Sequence, residues 1–321
     1  MSLFRYPFSL LAPAGPRSRL SVLIFHRVHR HADPLCPDEM TAPLFDRVLG
    51  RLKAWFNVIP LDRAVEDLLA GRLPDRPLCI TFDDGYADNY EVALPILKKH
   101  GLSATFFIAT GYLDGGCMFN DKVTEAIRAC GAEVLDLTSA GLGTYGLASL
   151  DHRRRAVGEV VAAIKYVGSP KRELLAQEIC DIAGVSPPVS LMMSRAQLRD
   201  LHRQGMGVGG HTRSHPILAA TAGDVAMAEL VDGKRDIEEI IGQTVTLLAY
   251  PNGRPGIDYR AEHVLLAREA GFRGAVSTAK GVATAGSDVF QIPRFTPWGR
   301  SMVKFGARLG LNLRAGDPER V

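Results

Sequence analysis

Short apolar, β-branched runs alternate along the chain with longer segments in which apolar residues recur every third or fourth position. Leu20 to Phe25, Leu78 to Phe82, Ser103 to Ala109, Gly207 to Gly210, Val245 to Tyr250 and Gly274 to Ser277 read as strands. Leu44, Val48, Leu52 and Trp55 or Phe56 mark the apolar face of a helix that Thr41 is placed to cap. Leu61 to Ala70, Asp88 to His100, Ala196 to Gln204, Asp224 to Ile241 and Asp258 to Ala270 read as further helices. Gly71, Gly101 and Gly271 supply stops, and Pro95 predicts a kink inside the second of these helices. Met302, Phe305, Leu309 and Leu313 form the inner stripe of a last helix packed on the domain. Strands that alternate with helices imply a largely parallel α/β sheet. Such a sheet gathers its functional side chains at the C-terminal ends of its strands.

Between residues 112 and 195 this rhythm lapses. Asp121 to Ala129, Asp151 to Ile164 and Lys171 to Ala183 read as helices separated by Gly-, Ser- and Pro-containing breaks. The expectation is one domain over residues 1–321, with a core at about 20–300 and a mainly helical insertion at about 112–195. An added packing layer is the role the pattern favours for the insertion, with a lid as the alternative. A length of 321 residues suits one α/β core of barrel size.

Composition narrows the function. Hydrophobic residues make up 46% and charged residues 23%, as in an ordinary globular protein, and the net charge is only +3. That balance, without an aromatic-plus-basic motif, speaks against nucleic acid as a partner. His152-Arg153-Arg154-Arg155 reads as the solvated start of a helix. Five scattered cysteines with no CxxC spacing suit reduced thiols. The apolar patch from Phe8 to Ala12 is broken by Pro13 and Pro16, too short for a signal peptide, and no apolar run reaches bilayer length. A cytoplasmic location is therefore expected, with peripheral membrane contact and oligomeric state left open.

The polar residues at strand ends carry the chemistry. Leu78-Cys79-Ile80-Thr81-Phe82 runs straight into Asp83-Asp84-Gly85. Asp-Asp-Gly is an ordinary turn signal, yet two adjacent carboxylates at a buried strand end repel each other unless a cation neutralises them. His211-Thr212-Arg213-Ser214-His215 follows a second strand, and its two imidazoles are four residues apart and reach one side. His26 and Asn252-Gly253 follow two others. One Asp with two His supplies three ligands and leaves positions open, which is the donor set of a catalytic metal site.

These residues resemble the motifs of the polysaccharide deacetylases that share the NodB homology domain, carbohydrate esterase family four. Thr81-Phe82-Asp83-Asp84-Gly85 is similar to that family's first motif and His211 to His215 to its second. Leu247 onward, with Tyr250-Pro251-Asn252-Gly253, is similar to a variant of the third. The resemblance runs from about Val22 to Phe295 and implies a distorted (β/α) barrel. It also implies that Asp83 is the general base and that Asp84, His211 and His215 hold a divalent metal. Ala249 stands where the family's third motif carries an arginine that orients the catalytic Asp, and Arg294 or Arg254 is expected to supply that charge. No counterpart of the late Asp-x-x-Asp-Trp motif or of the leucine-histidine motif is found. Phe25-His26-Arg27-Val28 instead resembles the early Tyr-His segment of the branch acting on poly-N-acetylglucosamine, which makes His26 the expected acid.

The implied activity is metal-dependent release of acetate from an N-acetylated glycan, with zinc as the expected cation. Iron, cobalt or nickel would also suit two His and a carboxylate. The backbone N–H of Asn252 is the expected oxyanion donor, since Pro251 has none to give. Two alternatives remain at this level. A metal-dependent phosphoesterase would need more ligands and a basic clamp, and a non-catalytic sugar-binding relative would not need a base. The pattern does not choose among chitin-like oligomers, a lipid-linked precursor, peptidoglycan and a non-sugar amide.

Overall fold

The computed structural model describes residues 4–296, 301–315 and 318–321. In chain order its elements begin with α1 (Arg5–Leu11), β1 (Ser21–Phe25), α2 (Ala42–Trp55), β2 (Asn57–Val58), α3 (Leu61–Leu69) and β3 (Pro77–Phe82). A π-helical turn, Asn89–Ala93, then leads into α4 (Leu94–His100) and β4 (Thr105–Ile108). The next segment holds α5 (Phe119–Ala129), the hairpin β5 (Val134–Asp136) and β6 (Thr144–Gly146), α6 (Leu150–Ile164) and α7 (Ser169–Ala183). The chain continues through α8 (Arg195–Arg203), β7 (Gly207–Gly210), α9 (Gly223–Ile241), β8 (Leu247–Ala249), α10 (Ala261–Glu269), β9 (Gly274–Val276) and α11 (Met302–Leu313).

All strand pairs of the main sheet are parallel, in the order β1-β3-β4-β7-β8-β9, with β2 along the start of β3. The free edges of β9 and β1 are joined by an irregular seam. Ile292 bridges to Val276 and Phe295 to Leu23, through Ser277 N–H to Ile292 O (2.8 Å) and Phe295 N–H to Val22 O (2.8 Å). The result is a curled parallel sheet with helices around it, a distorted (β/α) barrel as expected. Alternation along the strands sorts its two faces. Leu20, Val22, Cys79, Phe107, Ala249 and Val276 meet in one buried cluster. Phe25, Ile80, Phe82 and Phe106 pack into a larger one with the helices, where Phe82 stacks on Phe25 (5.4 Å) and on Phe106 (4.7 Å).

Residues 112–195 are mainly helical, as expected, and carry a hydrophobic cluster of their own. Phe119, Val123, Ile127, Val160, Ile164 and Ile179 are among its members. The segment also contains the β5–β6 hairpin, which its three-residue, largely exposed strands do not announce. Its basic run is not simply solvated. Arg153 donates to the carbonyls of Ile127 (2.5 Å) and Cys130 (3.1 Å), closing the C-terminal end of α5, and Arg154 donates to Pro34 O.

Other differences have local causes. Thr41 stands at the N-cap of α2, but its side chain makes no capping bond. Helix α10 begins at Ala261 rather than Asp258, because the Asp258 carboxylate is buried and accepts the Arg254 N–H (2.9 Å). Before Pro95 the helix loosens into the π turn, and Asn89 in that turn donates to His26 O (2.7 Å). The patch around Phe8 is a helix, α1, whose Phe4 and Phe8 rings pack on Trp55 and Phe56. Among the described residues no helix is long and apolar enough to cross a membrane.

Candidate active site

Strands β1 and β3 run side by side with Phe25 opposite Phe82, so His26 and Asp83 emerge at the same level. The Asp83 N–H still donates to Phe25 O (3.0 Å), after which the chain turns through Asp84 (φ 75°) and Gly85 (φ 93°). Gly85 adopts that angle freely, whereas Asp84 is strained in it. Thr81 and Asp83, two apart on a strand, face the same way. Toward them comes Arg294, carried by the seam and fully buried. Its Nη1 and Nη2 donate to Asp83 Oδ1 (2.6 Å) and Oδ2 (2.7 Å), a bidentate pair. Nη1 also reaches Thr81 Oγ1 (3.3 Å), and Nε donates to Ser277 O (3.0 Å). Burial opposes ionisation of Asp83, but the Arg294 charge, helped by His211, outweighs it and holds the carboxyl below the usual range. Arg254, the other expected source of charge, does not reach Asp83. It donates to Tyr166 Oη (2.6 Å) and lies 3.5 Å from Asp258.

His211 follows β7, with its N–H on Ile108 O (3.1 Å). Its Nδ1 lies 2.7 Å from Ala249 O at the end of β8. A carbonyl only accepts, so Nδ1 carries a proton and Nε2 is the nitrogen turned toward Asp84 Oδ1, at 3.4 Å; burial disfavours the charged ring, but Asp83 and Asp84 raise it above its ordinary value. His215 Nε2 lies 3.5 Å from that same oxygen. Thr212 shapes the loop between the two rings by accepting the His215 N–H (3.1 Å) and donating to His211 O (2.6 Å). Glu229 on α9 accepts from the N–H groups of Arg213 (2.8 Å) and Ser214 (2.7 Å) and from the Ser214 hydroxyl (2.6 Å).

The three side chains fit a divalent cation. One ligand atom from each of Asp84, His211 and His215 can be chosen so that all lie within 4.8 Å of one another. Asp84 Oδ1 and His215 Nδ1 are buried and make no hydrogen bond. Burial pushes His215 down to about 3, against the pull of the Asp84 charge, so its imidazole is neutral and able to coordinate. Burial also opposes ionisation of Asp84, yet the interaction of its carboxylate with the His211 imidazole outweighs it and holds the group well below the usual carboxylate range.

His26, Asp83, Asp84, His211, His215 and Asn252 all line one cavity of 230 Å³, about the room a single sugar ring takes up, while Arg294 lies behind Asp83. Asn252 sits at φ 57°, with its carbonyl held by the Thr278 hydroxyl (2.7 Å). His26 is exposed at the cavity wall. The pattern of the chain gave no sign that Met118, Phe119, Asn120, Val161 and Lys165, all from the 112–195 segment, complete this wall. A second chamber of 340 Å³ shares His26, Asp84 and Asn120 with it. Asp33, Asp38, Glu39, Asp121 and Glu125 line that chamber against Arg27 and Arg128. Burial pushes Asp121 up to about 7 despite the Arg27 charge and its bond from the Tyr86 hydroxyl (3.0 Å).

Fold and site together define a parallel α/β protein with a two-histidine, one-carboxylate centre at the C-terminal ends of its strands. The chain belongs to the polysaccharide deacetylase family, whose sequence profile it matches over residues 70–156 and 163–275. It is 23% identical over 220 residues to the polysaccharide deacetylase-like protein YxkH of Bacillus subtilis, a match taking in 68% of this chain. The match covers 51% of YxkH, so this chain spans about half the length of that relative. Its fold is similar to the Streptococcus pyogenes deacetylase PplD (TM-score 0.61, 20% identity, 91% of this chain and 97% of that one). It is also similar to IcaB from Ammonifex degensii (TM-score 0.59, 18% identity, 95% of this chain and 99% of that one).

Proposed function

We propose that this protein is a divalent-metal-dependent hydrolase that removes acetyl groups from N-acetylated sugar units of a glycan and releases acetate. The observation that carries this reading is the ionised, Arg294-paired Asp83 lying beside the Asp84, His211 and His215 cluster in one sugar-sized cavity. A pure binding site would have no use for a buried carboxylate kept ready to accept a proton.

Asp84, His211 and His215 would hold the cation, with zinc the best match to the donors. Bound there, it supplies a Lewis acid that polarises the acetamide carbonyl and acidifies water. Asp83, fixed by Arg294, takes the proton from the attacking water. The Asn252 N–H faces the carbon's developing oxyanion, and the strained backbone there fixes its direction. His26, protonated, gives a proton to the departing amine.

The test is acetate release from N-acetylated oligosaccharides by the zinc-loaded protein, set beside elemental analysis. His215→Ala should lose most metal and most turnover while staying folded. Asp83→Asn should keep the metal and lose turnover by about two to four orders of magnitude, as for removal of a general base. His26→Ala should slow sugar acetamides more than acetanilides, whose better leaving group needs less protonation. Equal metal content in His215→Ala and the parent, or full turnover in Asp83→Asn, would overturn the assignment.

A further inference from the structure

Lys165 is the one lysine or arginine lining the 230 Å³ cavity among the described residues. It follows directly on the last turn of α6 and is half-buried. Its ammonium lies over the Tyr166 ring at 5.5 Å, and among the described residues it forms no ion pair. The carboxylate that supports its charge, Asp258, is fully buried and already engaged. It accepts the Arg254 N–H (2.9 Å) and the Tyr166 hydroxyl (3.4 Å) and lies 3.5 Å from Arg254 Nε.

Two further cations stand close by. Arg254 bonds the Tyr166 hydroxyl, and Arg172 donates to the Lys165 and His215 carbonyls while its own Nε is buried without a partner. Burial pulls the Lys165 ammonium down, Asp258 holds it up, and Arg254 and Arg172 push it down again. At its own end of the cavity, away from Asp83 and Asp84, Lys165 feels two guanidinium groups against one carboxylate, an arrangement that an anion beside it would relieve. The adjoining chamber has the opposite character, with five carboxylates beyond Asp84 against two guanidinium groups. An anion entering the site is therefore drawn to one wall and repelled from the other.

We propose that Lys165, with Tyr166 and Arg254 beside it, forms a subsite for an anionic group on the sugar being deacetylated or on its immediate neighbour. The chemistry recognised is a carboxylate or a phosphate, from a uronic acid or from a sugar phosphate. Tyr166, 47% exposed, offers its ring as a stacking face for the pyranose, while Lys165 and Arg254 take the charge. Lys165 acts on specificity here and takes no part in moving protons. The placement beside the scissile acetamide rests on the deacetylase reading above, but the preference for an anion does not.

The experiment therefore reads binding and turnover separately. Calorimetry compares N-acetylglucosamine with N-acetylglucosamine 1-phosphate and with its 6-carboxylate, in the parent, Lys165→Gln and Lys165→Arg. The parent should bind one or both anionic sugars about tenfold or more tighter than the neutral one, the scale of a charge-assisted hydrogen bond. Lys165→Gln should remove that ratio and its salt dependence, Lys165→Arg should restore most of it, and turnover of a neutral acetanilide should fall several-fold less than turnover of the anionic sugar. The phosphate and carboxylate arms show which source of anion is read. Equal affinity of the parent for neutral and anionic sugars overturns the subsite, as does an equal loss on neutral and anionic sugars in Lys165→Gln. Anion preference without any acetate release would keep the subsite and sink the deacetylase reading instead.

Discussion

A buried carboxylate with no counter-charge holds a proton at neutral pH and cannot take one from water. Asp83 escapes this because both its oxygens are bonded by Arg294. A depressed folded value means that its contribution to stability is present above the ordinary carboxylate range and fades as pH falls through the lowered value. Arg294→Met should move the acid limb of the pH–rate profile to higher pH. It should also cost about 3–5 kcal/mol of stability, the effect of stranding one member of a buried pair. Arg294→Met combined with Asp83→Asn should recover much of the melting temperature and none of the turnover. An acid limb that stays in place in the single variant would mean that Arg294 serves packing alone. Strain is concentrated in the same place. Of six non-glycine residues at positive φ among those described, Asp84, Thr212, His215 and Asn252 belong to the site. Thr212 is β-branched, a costly choice for that region, and its hydroxyl is what ties His211 to His215.

At the scale of elements, the loop that carries both histidines depends on α9. Glu229 and Gly233, one turn apart, face it together. A Cβ on Gly233 would stand 2.7 Å from the Thr212 carbonyl carbon, so the loop or the helix must move. Gly233→Ala should weaken zinc binding, read by calorimetric titration, and lower stability by about 1–3 kcal/mol, as overpacking does. Unchanged zinc affinity in a folded Gly233→Ala protein would show that the loop is held from elsewhere. Elements of this kind separate what the sequence reveals from what it hides. Asp83-Asp84 and His211 were legible because each abruptly follows an apolar strand, and strand ends are where a parallel sheet exposes polar groups. Glu229 and Gly233 sit on α9 and Lys165 at the end of α6, helices whose pattern describes packing on one face and says nothing of what the other face reaches. Arg294 was legible only as a candidate, since Arg254 offered the same charge. The fold separates them, placing one inside the barrel and the other at the rim.

The whole molecule keeps its chemistry at a junction between two cores. The barrel supplies His26, Asp83, Asp84, His211, His215 and Asn252, while the 112–195 segment, with a hydrophobic cluster of its own, supplies Met118, Phe119, Asn120, Val161 and Lys165 to the same cavity wall. Such a division lets one part hold geometry while the other sets which molecules fit. Alternation of strands and helices predicted the barrel well. It could not predict the seam, because the stretch from Ile292 to Phe295 pairs by isolated bridges and forms no regular strand.

That seam has a consequence in time. Asp83 and Arg294 are 211 positions apart, and the backbone bridges of Ile292 and Phe295 are what bring the second to the first. Contacts so distant in sequence form late, once shorter loops have closed. His211 and His215 precede the seam, so a chain emerging during synthesis has the proposed metal ligands before Asp83, the proposed base, acquires its counter-charge. In refolding, zinc uptake should come ahead of acetate release, with activity appearing only in the phase that docks residues 292–295. Simultaneous recovery of both signals would show that the barrel closes in one step. On the proposed function, the partly folded chain would hold its metal before it could turn over a glycan, and activity would wait for the segment at residues 292–295 to settle.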